Sequence, residues 1–298
     1  MPRSSWLAGR QDATIGWLFV ADDHVGVGAL GTTGSPVVGT GWQAVRMAEF
    51  VKQDFSEARF EQVDFSRAWF RNVYFTGATL RGAWLEDVDI DGEIRNVRIN
   101  GVDIGPLVEA ELNRRYPQRS KLDPADAEGF REAWAIIEQS WPPTIKRAKR
   151  LPPDLLHKQV QGEYSFIQTL RHLVFAADAW VRRAILADPE PYSPLGLPHD
   201  EMEPDPSVPN EPNARPSLDE VLELRADRMR TVHDVIATLT DDVLAGETDP
   251  VPAPGYPPAG SYPVRRCLRA IVNEEWLHRL YAERDLAVLE QQPPLDPP

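Results

Sequence analysis

From Phe50 onward the chain repeats itself every five residues. Phe50, Phe55, Phe60, Phe65, Phe70, Phe75, Leu80, Leu85 and Ile90 recur at that interval, and after a one-residue slip Ile94, Ile99 and Ile104 continue it. Small or branched apolar residues precede many of them by two positions: Ala58, Val63, Ala68, Val73, Ala78, Ala83, Val88, Val97 and Val102. A helix aligns residues with a period of about 3.6 and a strand with a period of about 2, so neither puts this row on one side. A period of five requires a chain that turns repeatedly and sends one large residue inward per side of a coil. Successive coils then bury each other's inward rows, as in a solenoid.

Phe55-Ser56-Glu57-Ala58-Arg59-Phe60 and Phe75-Thr76-Gly77-Ala78-Thr79-Leu80 carry a unit of small, polar and large apolar residues followed by two open positions. The stretch over 50–104 resembles the pentapeptide-repeat family. The resemblance implies a right-handed, four-sided β-helix with four units to a coil, here about three coils. Residues 47–105 are then a scaffold or interaction surface, open to a protein partner or to self-association. Some acidic members of that family mimic DNA. Here the solenoid is short, and Arg59, Arg67, Arg71, Arg81, Arg95 and Arg98 offset much of its acid. Residues 1–46 show no sustained pattern and are read as an irregular extension. Met47, where regularity begins, is the expected start of translation, with the preceding residues an upstream artefact or loose tail.

Gly105-Pro106 ends the repeats, and 106–122 is a connector with a short helix over Leu107–Tyr116. Four amphipathic helices are expected over 123–291, before a tail at 292–298. The first opens at Asp123-Pro124, a cap followed by proline, and carries Phe130, Trp134, Ile137, Trp141, Ile145 and Ala148 on one stripe. Pro142-Pro143 should kink or break it. The second runs from the Ser165 cap to Leu186. Ser217-Leu218-Asp219-Glu220 is a capping box that opens the third, with Val221, Leu224, Met229, Val232, Ile236 and Leu239 facing the core. The fourth spans Pro263 to Glu290. Proline-rich loops, 188–216 and 249–263, separate the last three; a loop as long as the first is commonly a lid, a binding loop or disordered. The pattern reads as a helix bundle.

Glu274 and His278 stand four apart on the last helix, so they share a face. Such a pair can grip a metal ion from two sides if a third ligand comes from another helix, and His172 is the candidate. Alone, a Glu-x-x-x-His pair is most often a surface ion pair, and a histidine beside an apolar stripe a core residue. Together they are more informative, because Val264, Leu268, Ile271 and Leu277 place the pair near the buried side of its helix. A buried carboxylate needs a compensating charge, which a divalent cation supplies. Three protein ligands with one open position suit a catalytic site. Two imidazoles and a carboxylate suit zinc, and are also compatible with nickel, iron or manganese. Glu275 and Tyr281 are the candidate catalytic residues, Glu275 as a neighbouring base and Tyr281 as a donor to substrate. Their simpler readings are a solvated carboxylate and a packing ring. Cys267 is three turns from His278 and belongs to the core. His157, His199 and His233 fall outside the pattern, and His199 is the one placed to visit the site.

Tyr164-Ser165 ahead of a helix, His172-Leu173 within it, and a last helix with ligands four apart resemble the DinB superfamily of four-helix-bundle metalloproteins. The His, then Glu-x-x-x-His variant is that of the mycothiol-dependent maleylpyruvate isomerase branch. The resemblance covers 123–290. It implies a metal-dependent enzyme, a low-molecular-weight thiol as co-substrate and thiol transfer to a small molecule; hydrolysis is the enzymatic rival. The expected fold is α+β and multidomain: a short right-handed quadrilateral β-helix followed by a DinB-like four-helix bundle.

The net charge of −14 argues against binding to nucleic acid or anionic membrane. A single cysteine rules out an internal disulfide, which fits a cytoplasmic protein. No apolar run reaches the roughly 18–20 residues of a membrane span.

Overall fold

The computed structural model describes residues 49–92 and 94–291, so the expectations for the first 46 residues and for Met47 lie outside the described residues. The chain divides into two compact units with a boundary at Gly92/Glu93.

In the repeat segment the turn recurs with the sequence. Lys52, Glu57, Gln62, Arg67, Asn72, Gly77, Gly82, Asp87 and Gly92, five apart, all have positive φ. Ala58, Ala68 and Ala78 donate their backbone N–H to the carbonyls of Phe55, Phe65 and Phe75 at 2.9–3.0 Å. The turn bond from i+3 to i, with positive φ at i+2, is the mark of a type II turn. Asp54 and Asp64 brace two of these turns, each accepting a backbone N–H two residues on at 2.8 Å. Rings five apart then meet edge-on, from Phe50–Phe55 at 5.6 Å to Phe70–Phe75 at 5.9 Å. Hydrogen-bonded ladders from coil to coil are not among the described residues; the one sheet there is a two-residue hairpin, β1 (Arg98–Ile99) with β2 (Val102–Asp103). The ring row stays exposed, Phe55 at 49% and Phe75 at 61%.

The second unit holds six helices: α1 (Gly105–Arg115), α2 (Ala127–Ala148), α3 (Phe166–Ala177), α4 (Leu218–Ala237), α5 (Asp241–Ala245) and α6 (Val264–Leu289). The four long ones pack in a ring, α2 on α6, α6 on α3, α3 on α4 and α4 on α2. Their shared core includes Phe130, Trp134, Ile137 and Trp141 from α2, Leu170 and Leu173 from α3, and Leu268, Ile271 and Leu286 from α6. Each such side chain contributes about 1.5–3 kcal/mol by leaving water. Arg147 of α2 grips Glu290, the C-cap of α6, with two hydrogen bonds at 2.6 and 2.8 Å. No helix of the described residues is long and apolar enough to cross a membrane.

Local expectations failed in four places. The α2 cap is Asp126, accepting from Gly129 N at 2.8 Å, rather than Asp123. The helix then runs unbroken through Pro142-Pro143. Two missing N–H donors cost it local bonds, but Trp141 and Thr144 on either side are fully buried and hold the backbone in place. The helix begun by the Ser165 capping box passes after Ala177 into a π turn, Asp178–Arg183. On α4 the residue buried one turn after Val221 is Arg225, while Leu222 rather than Leu224 packs on the core.

Replacing Gly77, which has φ +73°, by valine should cost the repeat segment about 1–2 kcal/mol. Asparagine there should cost less. Urea unfolding followed by Trp69 and Trp84 fluorescence reads the difference. Cys267 is fully buried, and burial pushes its thiol up to about 12. A thiol reagent at pH 8 should therefore label nothing in the native protein and one cysteine after denaturation.

Candidate metal centre

Helices α3 and α6 pack directly, and the contact brings His172, Glu274 and His278 together. One ligand atom from each lies within 4.8 Å of the others. The His172 Nε2 is 3.3 Å from Glu274 Oε2, the His278 Nδ1 is 3.1 Å from the same oxygen, and the two rings are 4.7 Å apart. All three side chains are largely withdrawn from solvent, at 8%, 19% and 13% exposure.

Each ring also meets a backbone carbonyl. His172 Nδ1 faces the Leu197 carbonyl at 3.0 Å, and His278 Nδ1 faces the Glu274 carbonyl one turn back at 3.0 Å. A carbonyl only accepts, so each Nδ1 carries the proton. With the proton on Nδ1, Nε2 is the nitrogen of each ring left for a cation. Metal-binding histidines are normally oriented in this way by a backbone acceptor. Burial alone would push the Glu274 carboxyl up, but the two imidazoles outweigh it and hold the carboxyl well below the usual range. For His278, burial works against protonation and Glu274 more than restores it, so the net direction is upward. Two imidazole nitrogens and a carboxylate, converging in the interior, fit a divalent cation of the zinc type.

Glu275 is elsewhere. One residue on from Glu274 is about 100° round the helix, and that turns Glu275 into the core, 2% exposed. There it forms a buried ion pair with Arg225 of α4. The guanidinium also lies 4.3 Å over the Trp141 ring and 2.7 Å from the Met229 sulfur. The expectation of a solvated carboxylate is thus corrected. Arg225 escaped notice although it falls on the apolar stripe of α4, between Val221 and Val232. A charged residue at a core position was the available signal, and Glu275, in step with Leu268 and Ile271, carries the same one. Tyr281 stays near the site, half-buried, its ring 5.8 Å edge-on to His278.

The sequence pattern also missed what holds the first proline-rich loop. Arg171, 1% exposed, donates to the carbonyls of Leu195, Glu211 and Ala214 at 2.6–3.0 Å. Its own carbonyl accepts from Leu197 N at 3.1 Å, which aims the Leu197 carbonyl at His172. In the π turn, Arg182 takes the Pro191 carbonyl at 2.5 Å, and Arg183 takes the Pro254 carbonyl of the second loop at 2.8 Å. Tyr192 joins the two loops through the Tyr256 carbonyl and N–H, at 2.5 and 3.0 Å. The loops are therefore fastened to the helices and to each other, and the expectation of a disordered segment gives way to an ordered one. Among the other histidines, His233 pairs with Glu138 at the surface. His199 is half-buried in the fastened loop, near the triad, while His157 ends the short turn Pro153–His157.

Removing one partner of a buried pair strands a charge, whereas removing both strands none. Glu275→Gln or Arg225→Met alone should cost about 3–5 kcal/mol. The pair Arg225→Met with Glu275→Leu should recover most of that, as measured by urea unfolding of the full chain.

A family model described as the DinB superfamily matches residues 136–282, which include all three candidate ligands. A second model, pentapeptide repeats in 9 copies, matches residues 48–90. No curated protein and no solved structure matches the chain. The periodic turns of the first unit and the four-helix ring of the second agree with these matches, and the chain is a fusion of pentapeptide repeats with a DinB-superfamily domain.

Proposed function

We propose that the helical domain is a metal-dependent enzyme that holds one divalent cation, zinc, on His172, Glu274 and His278, and that it transfers a low-molecular-weight thiol to or from a small molecule. DinB-superfamily domains are often metal-dependent enzymes. The observation that carries the reading is the convergence of His172, Glu274 and His278, one ligand atom from each lying within 4.8 Å of the others, with His172 backed by the Leu197 carbonyl. A bound cation would supply Lewis acidity, lowering the pKa of a thiol or water beside it toward neutrality.

The chain's own residues supply the rest. Leu197 holds His172 in the required tautomer, and Glu274 contributes the negative charge. Glu275, paired with Arg225, is kept from competing as a ligand. Tyr281 is the neighbouring hydroxyl that would donate to substrate. For the repeat segment we keep the right-handed four-sided β-helix, supported by left-handed turns every five residues and by the continuous ring row. The outer surface of that coil is the candidate contact for a partner or a second copy.

Plasma mass spectrometry of the purified full chain should find about one equivalent of metal. His172→Ala and His278→Ala should each lose most of it while remaining helical by circular dichroism. A metal-free parent would refute the enzyme reading and favour a binding module. Thermal shifts with mycothiol, bacillithiol, glutathione and coenzyme A then separate thiol transfer from hydrolysis. Stabilisation by one thiol, only in the metal-loaded protein, is the expected result.

A further inference from the structure

The fastened loop brings one more side chain, His199, within electrostatic reach of His172 and Glu274. His199 lies two residues past Leu197, whose carbonyl backs His172, and one past Pro198, whose carbonyl accepts from Tyr164 Oη at 3.2 Å. The Tyr164 ring is itself 5.4 Å from the His172 ring. Residues 197–199 are thus tied to His172 through Leu197, to Tyr164 through Pro198, and to their own loop by a turn bond from Met202 N to the His199 carbonyl at 3.0 Å. From the second loop, Tyr256 packs edge-on against His199 at 5.2 Å and also reaches Phe175, which neighbours His172.

Within this setting the His199 Nε2 is sealed from solvent and has no hydrogen-bond partner in the protein. Such an atom costs about 1–3 kcal/mol unless something satisfies it, and native structures carry few of them. Burial first, and His172 second, hold this imidazole below its usual value, so the ring is neutral near pH 7 and keeps one N–H. Charge counting indicates what it would meet. Glu275 is already neutralised by Arg225, so a divalent cation with Glu274 leaves one positive charge, which an anionic small molecule would balance.

We propose that His199 is a substrate-contacting residue, and that its Nε2–H donates a hydrogen bond to the anionic atom of the small molecule seated beside His172, Glu274 and His278. This rests on the metal reading above. It assigns to the long loop a chemical role, recognition of a thiolate or similar anion, beyond its structural one.

Cobalt(II) substituted into the full chain makes the test visible. Azide and a small thiol are titrated into the parent, His199→Phe, His199→Leu and His199→Gln, following the visible absorption. All four should hold one equivalent of cobalt. The two apolar variants should bind azide and thiol about tenfold more weakly, the effect of one lost hydrogen bond of about 1.4 kcal/mol. His199→Gln, which keeps an N–H donor, should stay within a fewfold of the parent. Parent-like affinity in a folded Phe or Leu variant would overturn the proposal, as would loss of cobalt from those variants, since His199 would then be a ligand. A parent that takes up no cobalt would overturn the metal reading itself, a result distinct from either.

Discussion

A carboxylate set between two imidazoles inside a helix bundle is the constraint on which the rest of this domain turns. Glu274 cannot be withdrawn from water for less than several kcal/mol unless positive charge meets it there. Two rings alone can meet it only by taking up protons. Each Nδ1 also faces a backbone carbonyl, and the three side chains form a group that could hold a metal ion, one ligand atom from each lying within 4.8 Å of the others. Everything that packs α3 against α6 therefore also sets the spacing of the three donors.

That packing extends beyond the four helices. Helix α3 is buried on nearly every side, so loops as well as helices must cover it. Loops rich in proline lack N–H groups and cannot satisfy their carbonyls among themselves. Arginines do it instead. Arg171, Arg182 and Arg183, all from one stretch of chain, take carbonyls from both loops. The π turn at Asp178–Arg183 shifts the register of α3 between the first of these and the other two. The coupling makes the loop part of the site, since the residue that holds it, Arg171, adjoins the residue that would hold the metal.

The second buried charge pair has a different character. Arg225 and Glu275 lie on apolar stripes and close upon each other against Trp141. Replacing both by apolar residues would often be harmless in a core. Here the pair neutralises a second carboxylate, adjacent in sequence to Glu274 but turned about 100° round the helix into the core.

Much was legible in the chain itself. The five-residue period survives as a turn every five residues because the turn is local: its hydrogen bond spans three residues, and its left-handed position falls on Gly, Asn or Asp at five of nine sites. The cap at Ser165, the capping box at Ser217 and the stripes of α2 and α6 are equally local, and they appear where the pattern put them. The candidate triad could be picked out too, because residue type and spacing already restrict which side chains can share an ion. What only the tertiary structure decided are the long-range pairings: Glu275 with Arg225, Arg171 with three loop carbonyls, and the Leu197 carbonyl with His172. None of these has a periodic signature. Each depends on which helix face meets which, and on the rule that a charge or carbonyl removed from water must find its partner wherever the fold brings one.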